Sequence, residues 1–162
     1  MYNAYKYRSV GERFLKCTFF GHSNTSKEIQ TKLEEVLVDL IENYNVDTFY
    51  VGNQGNFDFI VRKTLKKLKL DYPYINYAVV LAYMPDKKDK LNYEDYSESI
   101  YPDGLENTPP KYAISKRNRW MVNKADYVIT YVKYTIGGAA KFKEYSEKQG
   151  KTVINLVDFK LS

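Results

Sequence analysis

Short apolar runs alternate with helical stretches along almost the whole chain, and this alternation limits the fold more than any other feature. Between the runs, apolar residues recur at intervals of three and four, which is typical of a helix with one buried face. Such alternation implies parallel strands joined by right-handed crossovers. The sequence therefore predicts an α/β fold, a single Rossmann-like three-layer sandwich of about five parallel strands flanked by helices. The predicted strands are residues 15–20, 47–51, 76–83, 127–132 and 152–156, and the predicted helices are 26–43, a segment ending near 71, 111–124 and 137–149.

The chain has 162 residues, the length of one ordinary domain, and we expect residues 1–162 to form one. Residues 84–110 are too long for a routine connection and contain four of the five prolines. This segment is predicted either to form a lid over a site or to cover an edge of the sheet. Its acidic residues have no His or Cys partner at metal-ligand spacing, so no metal site is predicted.

Tyrosine is unusually frequent, with 17 residues, and the formal net charge is +5, a combination that invites nucleic-acid binding as a first hypothesis. The positive charge is concentrated in two blocks, residues 62–70 and 111–124, with five cations each. In the first block the lysines interleave with Leu65 and Leu68. A solvated helix face is therefore favoured over a phosphate-backbone footprint, and nucleic acid is not expected as a partner.

The single cysteine, Cys17, lies in an apolar run and is expected to be a core thiol. No signal-peptide pattern and no apolar run long enough to span a membrane are found. A cytoplasmic location without membrane association is the resulting expectation.

Three loops at the predicted strand ends are rich in glycine and small polar residues. In open parallel sheets, ligands bind outside the carboxyl ends of the strands. Glycine lets backbone N–H groups approach an anion, and a helix N-terminus adds free donors. Together the loops predict a site for a phosphate-bearing ligand. The candidate residues are Gly21, His22 and Ser23; Gly52, Asn53, Gln54 and Gly55; and Gly137, Gly138, Ala139 and Ala140.

Two further positions bear on this site. Helical spacing from Ile114 puts Arg117 and Asn118 at or near the inward face of their helix, where a charge must be paired or must face a ligand. His22, the single histidine, could contact a ligand or act as an acid or base. The alternative is a loop histidine that holds its own backbone.

The order of motifs in the second half of the chain resembles the SLOG superfamily, which includes the LOG phosphoribohydrolases, the DprA-type domains and the YpsA-like proteins. LOG enzymes carry Arg-Lys-x-x-Met, then Ala-Asp, then Pro-Gly-Gly-x-Gly-Thr-x-x-Glu. The matching residues here are Arg117, Met121, Ala125, Asp126, Gly137, Gly138 and Glu144. In the first half, Gly21-His22 is similar to the Gly-His of YpsA-like domains. The chain departs from the LOG pattern at Asn118, Ile136, Ala140 and Lys141.

The resemblance implies that Arg117 and Glu144 are the counterparts of the catalytic residues of LOG enzymes. It also implies a homodimer, and Lys141 can supply charge where the motif hydroxyl is lost. From composition alone, Glu144 would be an ordinary solvated helix residue.

Three functions follow as hypotheses, none of which needs a cofactor. The first is a sensor or carrier that binds a nucleotide or nucleotide-derived ribose-phosphate ligand at the three loops. The alternative is an enzyme that cleaves or transfers an N-glycosidic bond, like a nucleoside 5′-monophosphate phosphoribohydrolase; whether the chain is an enzyme is left open. The third, ranked last, is nucleic-acid binding through residues 62–70 and 111–124.

Overall fold

Six strands form one parallel sheet in a computed structural model that describes residues 13–85 and 99–162. The strands are β1 (Leu15–Gly21), β2 (Val46–Val51), β3 (Asn76–Val80), β4 (Ser99–Ile100), β5 (Tyr127–Tyr131) and β6 (Thr152–Asn155). The helices are α1 (Glu28–Asn43), α2 (Gly55–Asp71), α3 (Pro110–Lys124) and α4 (Gly138–Lys148), with a short 3-10 helix at Leu105–Asn107. The strand order is β4-β3-β2-β1-β5-β6. The predicted Rossmann-like α/β fold is therefore confirmed.

Helices cover both faces of the sheet because each carries one apolar face. On one side, α1 and α2 pack against the sheet in a core that includes Leu33, Leu37 and Leu65. On the other side, Met121 of α3 and Phe142 of α4 join a second cluster. The sheet thus lies between two helical layers, the expected three-layer arrangement.

The segment 84–110 contains a strand that the sequence did not predict. β4 extends the parallel sheet beyond β3, with Val79 opposite Ser99 and Val80 opposite Ile100. The described part of the segment therefore covers the β3 edge, one of the two expected roles. Residues 86–98, which carry several of its acidic groups, lie outside the described residues. β4 was missed because a strand of two residues is too short to display a period.

Within the described ranges, the helices are all too short or too polar to cross a membrane. Cys17 is a fully buried thiol in β1, as predicted, and burial raises its pKa well above the ordinary value.

Gly21 ends β1 at a point where the sheet and α2 approach each other closely. A Cβ placed on Gly21 would lie 2.3 Å from the ring of Phe57 in α2, which is 1% exposed. A buried aromatic ring has no free space to move away. The glycine is therefore required by packing.

We predict that Gly21→Ala lowers the free energy of unfolding by about 2 kcal/mol, because overpacking a filled core costs this much. Urea denaturation followed by circular dichroism measures the change. Gly138→Ala is the matched control, since a Cβ there meets nothing within 4 Å and alanine favours a helix. Equal stability of the two variants would contradict the packing argument.

Candidate functional site

The order of the sheet reverses between β1 and β5, and open parallel sheets bind ligands at such a point. β1 ends at Gly21, directly opposite Tyr131 at the end of β5. The first predicted loop (residues 21–25) therefore begins beside the loop after β5 (residues 132–137), which leads into the third predicted loop (residues 135–140) at the carboxyl-end edge of the sheet.

His22 connects these two loops through three hydrogen bonds. Its main-chain N–H donates to the carbonyl oxygen of Tyr131 over 3.1 Å. Its side-chain Nε2 accepts from the main-chain N–H groups of Lys133, at 3.0 Å, and Tyr134, at 3.3 Å. The imidazole thus holds the backbone of residues 133 and 134, just before the third predicted loop, whereas the hypothesis was a histidine that holds its own backbone.

Asn155, at the end of β6, holds the same loop from the other side. Its Nδ2 donates to the carbonyl oxygen of Val132 over 3.0 Å, and its Oδ1 accepts from the N–H of Val132 over 3.1 Å. The backbone of residues 132–134 is therefore fixed by side chains from both neighbouring strands. Sequence reasoning missed Asn155, because only the β5–β6 pairing brings it to this loop.

The loop fixed in this way presents a cation and an aromatic ring to solvent. The Tyr134 side chain is 68% exposed, and its ring centroid lies 5.3 Å from that of His22. Lys133 is exposed beside it. Interaction with the Tyr131 side chain raises the pKa of Lys133, so the ammonium stays protonated. Sequence reasoning passed over both residues, since neither belongs to a glycine motif.

The start of α4 is open at the same edge. The chain turns at Gly137, with φ at +110°, and α4 begins at Gly138. A Cβ built on either glycine meets no atom within 4 Å, so the main chain there can be approached closely. Lys141, in the first turn, is exposed. We call Lys133, Tyr134, Gly137, Gly138 and Lys141 the switch-point surface.

Arg117 reaches from α3 to the carboxyl ends of β2 and β3. The residue is 2% exposed. Its Nε donates to Oδ1 of Asn118 over 2.8 Å, and its Nη1 donates to the carbonyl oxygen of Val80 over 2.8 Å and to Oδ1 of Asn53 over 3.4 Å. Arg117 and Asn118 face inward as predicted. Ile114, from which their spacing was counted, is itself exposed.

Asp58 of α2 is the buried counter-charge of Arg117, and it was missed by sequence reasoning. A Cβ on Gly52 would lie 2.6 Å from Asp58 Oδ2 and 3.1 Å from Arg117 Nη1, so only glycine fits between these groups. Burial raises the pKa of Asp58, opposed by a hydrogen bond from the N–H of Gln54 and by the charges of Arg117 and Arg62. Burial lowers the pKa of Arg117, and Asp58 opposes that change. Arg117 is therefore used inside the protein to balance a carboxylate.

The predicted ligand residues fall into two groups along one edge of the sheet. Gly21 and His22 adjoin the switch-point surface, with Ala139 and Ala140 half-buried behind it. Gly52, Asn53 and Gln54 of the second loop lie against Arg117 or Asp58. Ser23 links the two groups, since a Cβ on Gly55 would lie 3.3 Å from its side chain.

Glu144 lies apart from both groups. Its side chain is 66% exposed and forms an ion pair of 2.9 Å with Lys148, one helical turn later on α4. This contact lowers the pKa of Glu144. In the described part of the chain, no contact joins it to Arg117, its predicted catalytic partner.

Most cations of the basic block 62–70 bind acceptors of the chain itself. Such lysines and arginines support the fold and are less available to an external phosphate. The contacts are Arg62 to the Gly52 carbonyl (3.1 Å), Lys67 to Glu34 (3.0 Å) and Lys69 to the Ile75 carbonyl (2.6 Å).

Residues 13–85 and 99–162 contain no group of three or more His, Cys, Asp or Glu side chains that could hold a metal ion.

The chain is similar to solved structures of two DNA-processing proteins. One similar chain is DNA processing protein A (DprA) from Streptococcus pneumoniae, with a TM-score of 0.59 and 18% identity over 86% of this chain and 49% of that one. Another is DprA from Helicobacter pylori, with a TM-score of 0.60 and 15% identity over 86% of this chain and 63% of that one. The chain is similar in fold to DprA. It spans about half of the first DprA chain and less than two thirds of the second. No protein-family model matches it, and no curated protein sequence does.

These comparisons correct two predictions made from the sequence. A nucleotide-derived small molecule was the expected ligand, with N-glycosidic chemistry as the alternative, and nucleic acid was not expected as a partner. Both predictions are wrong, because the structural neighbours are DNA-processing proteins, and the H. pylori protein is described by its single-stranded DNA binding mode. Glycine-rich loops at the strand ends can bind the phosphate of a nucleotide or of a nucleic acid, so they do not distinguish the two ligands. Counts of charge in sequence blocks do not show which cations are exposed.

We predict that Arg117→Met lowers the free energy of unfolding by about 3 kcal/mol, because it removes the cation that acts most strongly on the buried Asp58 carboxylate and leaves Arg62 to balance it. Arg117→Lys is not expected to restore stability, since one ammonium cannot replace the separate Nε and Nη1 contacts. Urea unfolding measures both variants. Arg119→Met is the control, because Arg119 is exposed on the same helix and should change stability by less than about 0.5 kcal/mol. A loss at Arg117 no larger than at Arg119 would refute the role of the buried charge.

Proposed function

We propose that the chain binds single-stranded nucleic acid at the switch-point surface. The observation that carries the proposal is the exposed Tyr134 ring, fixed beside Lys133 and the open start of α4 at the point where the sheet order reverses. Proteins that bind single strands without sequence preference combine a cationic surface with aromatic rings on which bases stack. These two components occur here within a few residues of each other.

Tyr134 is suited to stack on a base because its ring is exposed while its backbone is held in place. A fixed ring loses little conformational entropy on binding. Stacking of this kind needs an unpaired base, since the face of a paired base is covered by its neighbours in a duplex. The aromatic component therefore favours a single strand over a duplex.

The phosphates would be bound by Lys133, Lys141 and the first turn of α4. Backbone N–H groups at a helix N-terminus and the positive end of its dipole favour an anion. Gly137 and Gly138 leave that backbone open, since a Cβ on either one would fill empty space. The predicted roles of Gly137, Gly138 and Lys141 in phosphate binding are retained, with the phosphate now part of a nucleic-acid backbone.

The net charge of +5 and the fold shared with DprA support the same function. A place in the SLOG superfamily beside the DprA-type domains is part of the proposal. The YpsA-like and LOG-like resemblance, the homodimer, the single domain and the cytoplasmic location stay predictions.

We predict that Tyr134→Ala weakens binding of a labelled oligothymidylate about 20 nucleotides long by roughly tenfold, because stacking on one aromatic ring contributes about 1–3 kcal/mol. Fluorescence anisotropy at low salt measures the affinity. Tyr44→Ala is the matched control, since Tyr44 is 49% exposed and lies between α1 and β2, at the opposite edge of the sheet. Equal affinities of the two variants, or stronger binding of the wild type to a duplex of the same length, would contradict the proposal.

A second prediction concerns salt. Lys133→Ala should reduce the slope of log affinity against log salt concentration by about 0.7, the value expected when one single-strand phosphate contact is lost. Titrations at several potassium chloride concentrations give the slope. Lys124→Ala, which removes an exposed cation at the end of α3 near the opposite edge, should leave the slope unchanged. The same slope in both variants would exclude Lys133 from the interface.

A further inference from the structure

We propose that His22 is a positioning residue for the nucleic-acid surface: its neutral imidazole holds the backbone that presents Lys133 and Tyr134, and protonation of the imidazole releases it. This inference rests on the proposed function and adds regulation by pH to it. The geometry that carries it is the pair of hydrogen bonds from the N–H groups of Lys133 and Tyr134 to Nε2 of His22.

The tautomer follows from the partners. Two main-chain N–H groups point at Nε2, and a main-chain N–H can only donate. Nε2 must therefore be unprotonated, which places the single proton of the neutral ring on Nδ1. A second proton would put an N–H group at Nε2, facing two other donors. Both hydrogen bonds would then be lost.

The aromatic and charged side chains near the imidazole come from the segment that it holds and from α1. The rings of Tyr131 and Tyr134 have centroids 6.3 Å and 5.3 Å from that of His22. Lys133, on the held loop, is a cation whose ammonium lies 5.5 Å from the Tyr131 ring. Glu28 of α1 is a carboxylate that acts on Lys133.

The other hydrogen bonds of the loop show which residues are released when His22 is protonated. Asn155 binds Val132 through both of its amide atoms, and neither atom titrates. When His22 is protonated, Val132 stays fixed to β6 while the next two residues lose their hydrogen bonds to β1. The change is therefore confined to the residues that carry the stacking ring and the ammonium.

The direction in which nucleic-acid affinity changes with pH distinguishes this positioning role from direct contact of His22 with phosphate. A histidine that touches phosphate gains charge on acidification, so binding should tighten as pH falls. A histidine that holds the loop through an unprotonated nitrogen should weaken binding as pH falls. Histidine is the side chain whose ordinary titration lies between about pH 5 and pH 8, and the chain has only one.

The experiment compares the wild-type chain with His22→Gln and His22→Leu between pH 8 and about pH 5.5. The amide oxygen of glutamine can occupy the place of Nε2 and accept hydrogen bonds without titrating, whereas leucine cannot accept any. We expect wild-type affinity for the oligothymidylate to fall roughly tenfold on acidification, the effect of losing two ordinary hydrogen bonds. His22→Gln should bind almost independently of pH, and His22→Leu should bind weakly at both pH values.

Amide hydrogen exchange on the free protein provides a second measurement that needs no nucleic acid. Protection of the Lys133 and Tyr134 amides, corrected for the intrinsic rate, should fall on acidification in the wild type, stay constant in His22→Gln and be low in His22→Leu.

Protection that does not depend on pH or on these substitutions would overturn the inference. Tighter wild-type binding at low pH would also overturn it, in favour of direct phosphate contact. If the wild type fails to bind at pH 8 while the exchange pattern is as expected, the proposed function fails but the release of the loop by protonation stands.

Discussion

The buried charge of Arg117, balanced by Asp58, ties together elements that the sheet alone does not connect. Arg117 belongs to α3 on one face of the sheet, and Asp58 belongs to α2 on the other. Their charges interact across Gly52, above the ends of the central strands. Because neither charge can be left alone in a protein interior, both helical layers and the loop after β2 are fixed with respect to one another. The rest of the carboxyl-end edge is built beside this contact.

The same contact separates two kinds of cation in the chain. Arg117, Arg62 and Lys69 donate to the protein's own main-chain carbonyl groups and contribute to the fold. Lys133 and Lys141 extend into solvent at the edge where the sheet order reverses. The net charge of the sequence does not distinguish these two kinds of cation. A cation is available to a ligand only when the folded chain places no hydrogen-bond acceptor of its own beside it.

Much of the fold could be predicted because its elements are long enough to display a period. α1 follows its predicted apolar stripe, and the continuous apolar run of residues 77–81 corresponds closely to the buried strand β3. The inward position of Arg117 was predicted correctly, although Ile114, from which the spacing was counted, is exposed and Ala113 is the buried neighbour. β4 could not be predicted, since two residues carry no period. Asp58 could not either, because a carboxylate in the first turn of a helix is ordinary there, and its burial depends on a partner far away in the sequence. The acceptor role of His22 likewise depends on the pairing of β1 with β5.

The hydrogen bonds that His22 and Asn155 make to residues 132–134 reach only main-chain atoms. The side chains of residues 133 and 134 take no part in these hydrogen bonds. Other residues with a main-chain N–H could therefore make the same hydrogen bonds at these two positions. At this exposed edge the hydrogen bonds that hold the backbone and the side chains that face a ligand thus depend on different residues. Substitutions at positions 133 and 134 could therefore change the ligand preference while the fold is retained.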